Sequence, residues 1–219
     1  MKKQLIYILV LTCIWALWAG CGIQTSSETG EPKVITLSCE ELAFFNGNSF
    51  FNRDSFDIRN QFLSSLYDTP EEIDLYALFY NGINVTDRAE GDELADFLKA
   101  NGMSCSIDEV PCPCTKIKKS EMDEVLKAYM GIGLTQTYGL GLDEFSYSAK
   151  FDSYYNLHGD TNYLMQINFL RGEREGNLIR LCYNDNFYCD GNKVLTLKDV
   201  GGTYLFVSHQ MDESGRFSG

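Results

Sequence analysis

The chain is poor in positive charge and in histidine. Its 219 residues hold 18 lysines and arginines against 31 aspartates and glutamates, with two histidines in all, His158 and His209. So acidic a chain repels nucleic acid and anionic lipid headgroups, which excludes a nucleic-acid role. Other absences narrow the chemistry. No G-x-S-x-G segment is present to hold a strained nucleophilic serine. The glycine-rich "GIGLTQTYGLG" follows a helical pattern rather than a strand and carries no Lys-Ser/Thr, so it is not a phosphate-binding loop. No Asp/Glu pair has a spacing that a glycosidase would single out. "DNFYCDGN" lacks the alternating oxygen ligands and distal Glu of a calcium loop and reads as a hairpin turn. There is no internal repeat. Neither a metal site nor a cofactor is expected.

What is present begins with an export signal. Lys2 and Lys3 form a basic start, and Leu5 to Gly20 is an apolar run ending in small residues. Such a stretch is a secretory signal, and it is short for a membrane span. Ala19 and Gly20 stand directly before Cys21, which resembles the bacterial lipobox. Trp18 occupies the usual Leu position, with Leu17 one step further out. The resemblance implies cleavage after residue 20 and lipidation of Cys21, with palmitate among the acyl chains. The expected partner is then the membrane, reached through that lipid, at the outer face of the cell. Cleavage removes Lys2 and Lys3, leaving 16 basic and 31 acidic residues, a net of −15. Residues 21–33 are polar and cannot bury enough surface to fold, so they read as a flexible tether. Residues 34–210 read as a single domain, and 211–219 as a disordered tail.

Beyond Cys13 and Cys21 the cysteines are Cys39, Cys105, Cys112, Cys114, Cys182 and Cys189. Exported chains with even cysteine sets allow disulfides. Cys182 and Cys189 flank an expected loop and form the best local pair. "CSIDEVPCPC" does not have the paired spacing of a structural zinc site and has no histidine near it. A disulfide involving Cys105 and simple free thiols both remain open.

The first half is punctuated as helices. "SCEE" at 38–41 is a capping box. "DSFDIRNQFLSSLY" places Phe62, Leu63 and Leu66 at helical spacing behind Asp54 or Ser55 as cap. "TPEEIDLYALFYNG" predicts one helix, with Thr69 as cap, Pro70 at its first position and Gly82 as its stop. "EGDELADFLKANG" buries Leu94, Phe97 and Leu98. "SEMDEVLKAYMG" aligns Met122, Val125, Leu126 and Tyr129 and ends at Gly131. After about Gly141 the period changes to two. "NYLMQINFL", "LIRLCY", "KVLTL" and "TYLFVSH" predict an antiparallel meander of about four strands, with "RGEREGN" as a turn. Helices first and strands afterwards predict an α+β fold, N-terminal helices packed on a C-terminal meander in one shared core.

The segment "YYNLHGDTNY" raises the main functional question. His158 and Asp160 could orient a base, but residues two apart need not face each other, and Gly, Asp, Thr and Asn are what a turn requires. The turn is the preferred reading. Tyr154, Tyr155, His158, Asp160, Asn162 and Tyr163 also group rings around polar groups, which suits a ligand-binding patch. His209 reads as a satisfied histidine, in phase with Leu205 and Val207 or just beyond the strand end. The leading expectation is therefore a non-enzymatic binding or interaction module at the cell surface, for an unknown ligand or protein. The alternative is a hydrolase of cell-wall or host polymers working through His158 and Asp160.

"FFNGNSFFN", "NQFLSSLYDTPEEIDLYALFYNG", "EMDEVLKAYMGIGL", "FDSYYNLHGDTNY" and "GGTYLFVS" together resemble a family of uncharacterised lipoproteins of Gram-positive gut bacteria. The resemblance runs from about residue 34 to 208. It implies a surface location and one folded domain, and it brings no catalytic residue with it.

Overall fold

The computed structural model describes residues 33–53, 57–83, 87–157, 167–185 and 191–213. All of them fall in one compact unit, Lys33–Gly219.

The capped helices form where the sequence marks them. In α1 (Cys39–Asn46) the Ser38 side chain accepts from the Glu41 amide at 3.2 Å, and Glu41 Oε2 accepts from the Ser38 amide at 2.8 Å. α2 (Ile58–Gln61) is shorter than its pattern predicts and is capped by Asp57. Phe62 and Leu63 are buried beyond its end, but Leu66 is exposed, because the chain has left the helix by then. "TPEEIDLYALFYNG" is not one helix. Thr69 starts a 3-10 turn, Pro70–Glu72, and Ile73 then takes an extended conformation with its side chain in the core. Asp74 recaps the chain for α3 (Leu75–Phe79), its Oδ1 accepting from the Ala77 amide at 2.9 Å. An Asp inside a helix competes for backbone amides as a cap does, and here the second cap wins. α4 (Gly91–Ala100) buries Leu94, Phe97 and Leu98. α5 (Lys119–Met130) buries Met122, Leu126 and Met130 and ends at Gly131, whose φ of 73° suits a left-handed cap. Among the described residues no helix is long and apolar enough to cross a membrane.

The fold is mixed helix and strand, broadly α+β, but the sheet content exceeds the expected four-stranded meander. β1 is Val34–Thr36, β2 Cys114–Lys118, β3 Ser146–Ser148, β4 Ser153–Leu157, β5 Phe169–Glu175, β6 Leu178–Asn184, β7 Asn192–Val200 and β8 Thr203–Met211. Five strands form an antiparallel sheet in the order β1-β5-β6-β7-β8, and a second sheet has the order β2-β4-β3. β1 and the whole second sheet are additions to the expected topology. β5 also corrects it: most of "RGEREGN" is strand, and the turn is only Gly176–Asn177. The segment looked like a turn because it is charged throughout, and the inward positions opposite Leu181 and Ile179 are held by Gly172 and Arg174 rather than by apolar residues. A Cβ at Gly172 would lie 2.5 Å from Leu37 Cδ1, so the glycine is there for close packing. Of "NYLMQINFL", residues 162–166 lie outside the described residues.

One core joins the elements. Phe45, Phe62, Leu78, Met122, Leu126 and Phe206 belong to the same buried cluster as Ile117 and Tyr154 of the small sheet. The far face of the small sheet carries a second, smaller core, in which Leu94, Phe97 and Leu98 of α4 meet Cys114 and Tyr155.

Candidate functional site

β8 organises the polar groups of the molecule. A bulge between Thr196 and Leu197 pairs Leu197 with Phe206, Thr196 with Ser208 and Leu195 with His209. Phe206 and His209 are three apart, so without an extra residue they would face opposite ways. The bulge puts both on the inner face. His209 is therefore not in phase with Leu205 and Val207, and it is fully buried.

Its ring is held at both nitrogens. Nδ1 lies 2.7 Å from the Ser65 carbonyl, which can only accept, so Nδ1 carries the proton of the bond. Nε2 then faces the Tyr183 hydroxyl at 2.9 Å and accepts from it on the neutral ring. Tyr183 lies parallel to the imidazole, the planes 8° apart. Tyr67 completes the group from the neighbouring segment. Its amide donates to the His209 carbonyl at 2.8 Å and its carbonyl accepts from the His209 amide at 2.9 Å. The Tyr67 hydroxyl is buried with no hydrogen-bond partner among the described residues, and burial pushes the phenol well above its ordinary value. At the same end of the sheet Lys193 Nζ meets Asp185 Oδ2 at 2.7 Å, both side chains buried.

The other side of β8 opens into a groove of about 560 Å³. Leu66 and Asp68 flank Tyr67 and form one wall, while Arg180, Val194, Thr196 and Gln210 come from β6, β7 and β8. Gln210 Nε2 donates to Asp68 Oδ1 at 2.8 Å, and Arg180 is held by Glu175 at 2.7 Å. The groove thus offers a hydroxyl, an amide, a guanidinium and the carboxylates of Asp68, Asp212 and Glu213 beside the apolar side chains of Leu66, Val194 and Met211. Such a set has the donors and acceptors needed to orient a polar ligand.

Of the residues singled out in the sequence, Tyr154 and Tyr155 fall elsewhere. Tyr154 and Tyr155 are buried on opposite faces of the small sheet. Tyr154 packs against Phe145 and Tyr147, at ring separations of 6.1 and 4.9 Å. Tyr155 donates its hydroxyl to Glu93, whose other oxygen holds Lys116 at 2.8 Å. Burial first and Glu93 second raise the Tyr155 phenol. These two rings dock α4 and fill the core. His158, Asp160, Asn162 and Tyr163 lie outside the described residues, as do Cys21 and Cys189. Cys182 is a buried free thiol, pushed up to about 11 by burial. Among the described residues no group of three His, Cys, Asp or Glu side chains could hold a metal ion.

Sequence reading missed the groove because its walls come from segments far apart in the chain. It also passed over Lys193, although a signal was present: Lys193 is in phase with Leu195 and Leu197, so it had to point inward. No known protein family, curated protein or solved structure matches the chain.

Proposed function

We propose that the chain is a lipid-anchored, extracytoplasmic binding module, anchored at the surface as its resemblance to uncharacterised Gram-positive gut lipoproteins implies, and that its ligand seat is the groove along β8. One observation carries the binding reading: Asp68, Arg180, Thr196 and Gln210 converge on a groove of about 560 Å³. That volume lies in the usual range for small-ligand sites, roughly 300–1,000 Å³. The mature chain's strong negative charge favours neutral or cationic ligands over anionic polymers.

The groove is tested by a thermal-shift screen on the detergent-extracted full chain, with neutral cell-wall oligosaccharides and short basic peptides as probes. A ligand at a hundred times its Kd stabilises the native state by about 2.7 kcal/mol, which such a screen reads easily. Gln210→Trp fills the groove from an exposed position and should abolish the shift. A shift that survives Gln210→Trp but disappears in His158→Gln would move the site to His158 and Asp160 and revive the hydrolase reading.

The anchor has its own test. Cys21→Ser should release the protein into the medium or leave it unprocessed. A Cys21→Ser protein that is processed and still membrane-bound is incompatible with anchoring through that residue.

A further inference from the structure

The groove along β8 is acidic, and it lies beside an open edge of the large sheet. Its lining holds three carboxylates, Asp68, Asp212 and Glu213, against one guanidinium, Arg180. Glu175 already meets Arg180 at 2.7 Å, so the surplus charge of the site is negative. Leu66, Val194 and Met211 supply the apolar part of the same lining. A side chain that satisfies both parts has an apolar stem and a cationic head, as lysine and arginine do.

The sheet edge adds a second, independent feature. His209 accepts from the Tyr67 amide at 2.8 Å and donates to the Tyr67 carbonyl at 2.9 Å, so its backbone groups point away from β7. Successive residues of an antiparallel strand turn these groups to opposite sides. Gln210 therefore faces β7 and Met211 faces outward again. The Asp212 amide donates to the Asn192 carbonyl of β7 at 2.9 Å, which fits this alternation. Tyr67 and His209 form an isolated bridge, so pairing on this edge stops before Met211. Among the described residues nothing pairs with the outward amide and carbonyl of Met211. An unpaired sheet edge is a template for an added strand, and main-chain bonds along it supply affinity while adjoining pockets select side chains.

We propose that the groove takes a short basic peptide in extended conformation. Its backbone continues the sheet at Met211, and a lysine or arginine side chain lies along Leu66 and Val194 with its cation against Asp68, Asp212 and Glu213. This rests on the groove being the ligand seat and names what it seats. Charge complementarity sets the sign of the ligand, and the open edge sets its extended form.

The test measures Kd by fluorescence anisotropy on the detergent-extracted full chain. The probes are a capped, labelled pentapeptide Thr-Val-Arg-Val-Thr, its Thr-Val-Gln-Val-Thr counterpart, and labelled arginine amide, which carries the cation without a strand. The arginine peptide should bind tightest of the three, and added salt should weaken it, because exposed charges are screened. Asp68 and Glu213 are both exposed, so Asp68→Asn and Glu213→Gln test charge without disturbing the core. Each should weaken the arginine peptide by about twofold to fivefold, the scale of one exposed ion pair, and leave the glutamine peptide unchanged. Gln210→Trp should abolish binding of both peptides. Equal affinity for the arginine and glutamine peptides, or for the arginine peptide and arginine amide, overturns the proposal, as does peptide binding that survives Gln210→Trp. Neutral cell-wall oligosaccharides that stabilise the wild type but not Gln210→Trp, with no peptide bound, would overturn the peptide alone and keep the groove as the seat. Silence from peptides and oligosaccharides alike would remove both the peptide and the groove.

Discussion

Truncating Phe206 to alanine should destabilise the protein by about 3–5 kcal/mol, the range for removing a fully buried phenylalanine. Phe206 is fully buried on β8. It stacks on Phe62 at 4.4 Å with the planes 18° apart, and meets Phe51 at 6.1 Å and Tyr129 at 6.4 Å. Those rings belong to the segment after α1, the end of α2 and α5. One side chain therefore ties three parts of the helical half to the large sheet. The loss combines transfer free energy with the cavity left behind, since rings held by their own neighbours cannot collapse far. A total stability of roughly 5–15 kcal/mol makes this a large fraction. Urea unfolding should show a lower midpoint with an unchanged slope. Phe206→Leu should keep about half of the loss away, because much of the volume remains. A loss under 1 kcal/mol, or two separate transitions in the wild type, would mean that helices and sheet do not share one cooperative core.

The elements that could be read from the sequence are those whose burial is one-sided and whose ends carry their own chemistry. α4 and α5 show their apolar stripe at helical spacing, and Ser38 with Glu41 spells out a cap that forms as written. The elements that were hidden break one of these conditions. β5 has glycine where an apolar residue would have announced the inner face, because Leu37 fills that space instead. β2 and β4 are covered on both faces, by the main core and by α4, so neither alternates cleanly. The break at Ile73 depends on Asp74 outcompeting helix continuation, a contest that composition alone does not decide. The site followed the same logic. His209 stood out as a rare residue type, but the bulge that turns it inward leaves no trace in the sequence. The groove required knowing that the Leu66–Asp68 segment is fastened to β8 through Tyr67.

Breaking the Lys193–Asp185 pair should be the most costly polar change in the described structure. Lys193 alternates with Leu195 and Leu197 on the inner face of β7, and β-pairing sets it beside Tyr183 and Met211. Its side chain is 5% exposed, that of Asp185 1%, and the two meet at 2.7 Å. Water reaches neither charge, so each depends on the protein for its compensation. Lys193→Met keeps the chain length and removes the cation, leaving a buried carboxylate without this partner. Asp185→Leu does the reverse to the ammonium. Each single change should cost about 3–5 kcal/mol. The double variant should lie closer to the wild type than either single one, because two apolar side chains can pack where two charges had to be desolvated. Denaturant midpoints of all four proteins close a double-mutant cycle, and neighbours in direct contact should couple by roughly 0.5–3 kcal/mol or more. Additive losses would mean that each charge is held chiefly by other groups, and that the 2.7 Å contact contributes little of its own. Strong coupling would locate the stability of this end of the sheet in the pair, beneath the same strand whose outer side forms the groove.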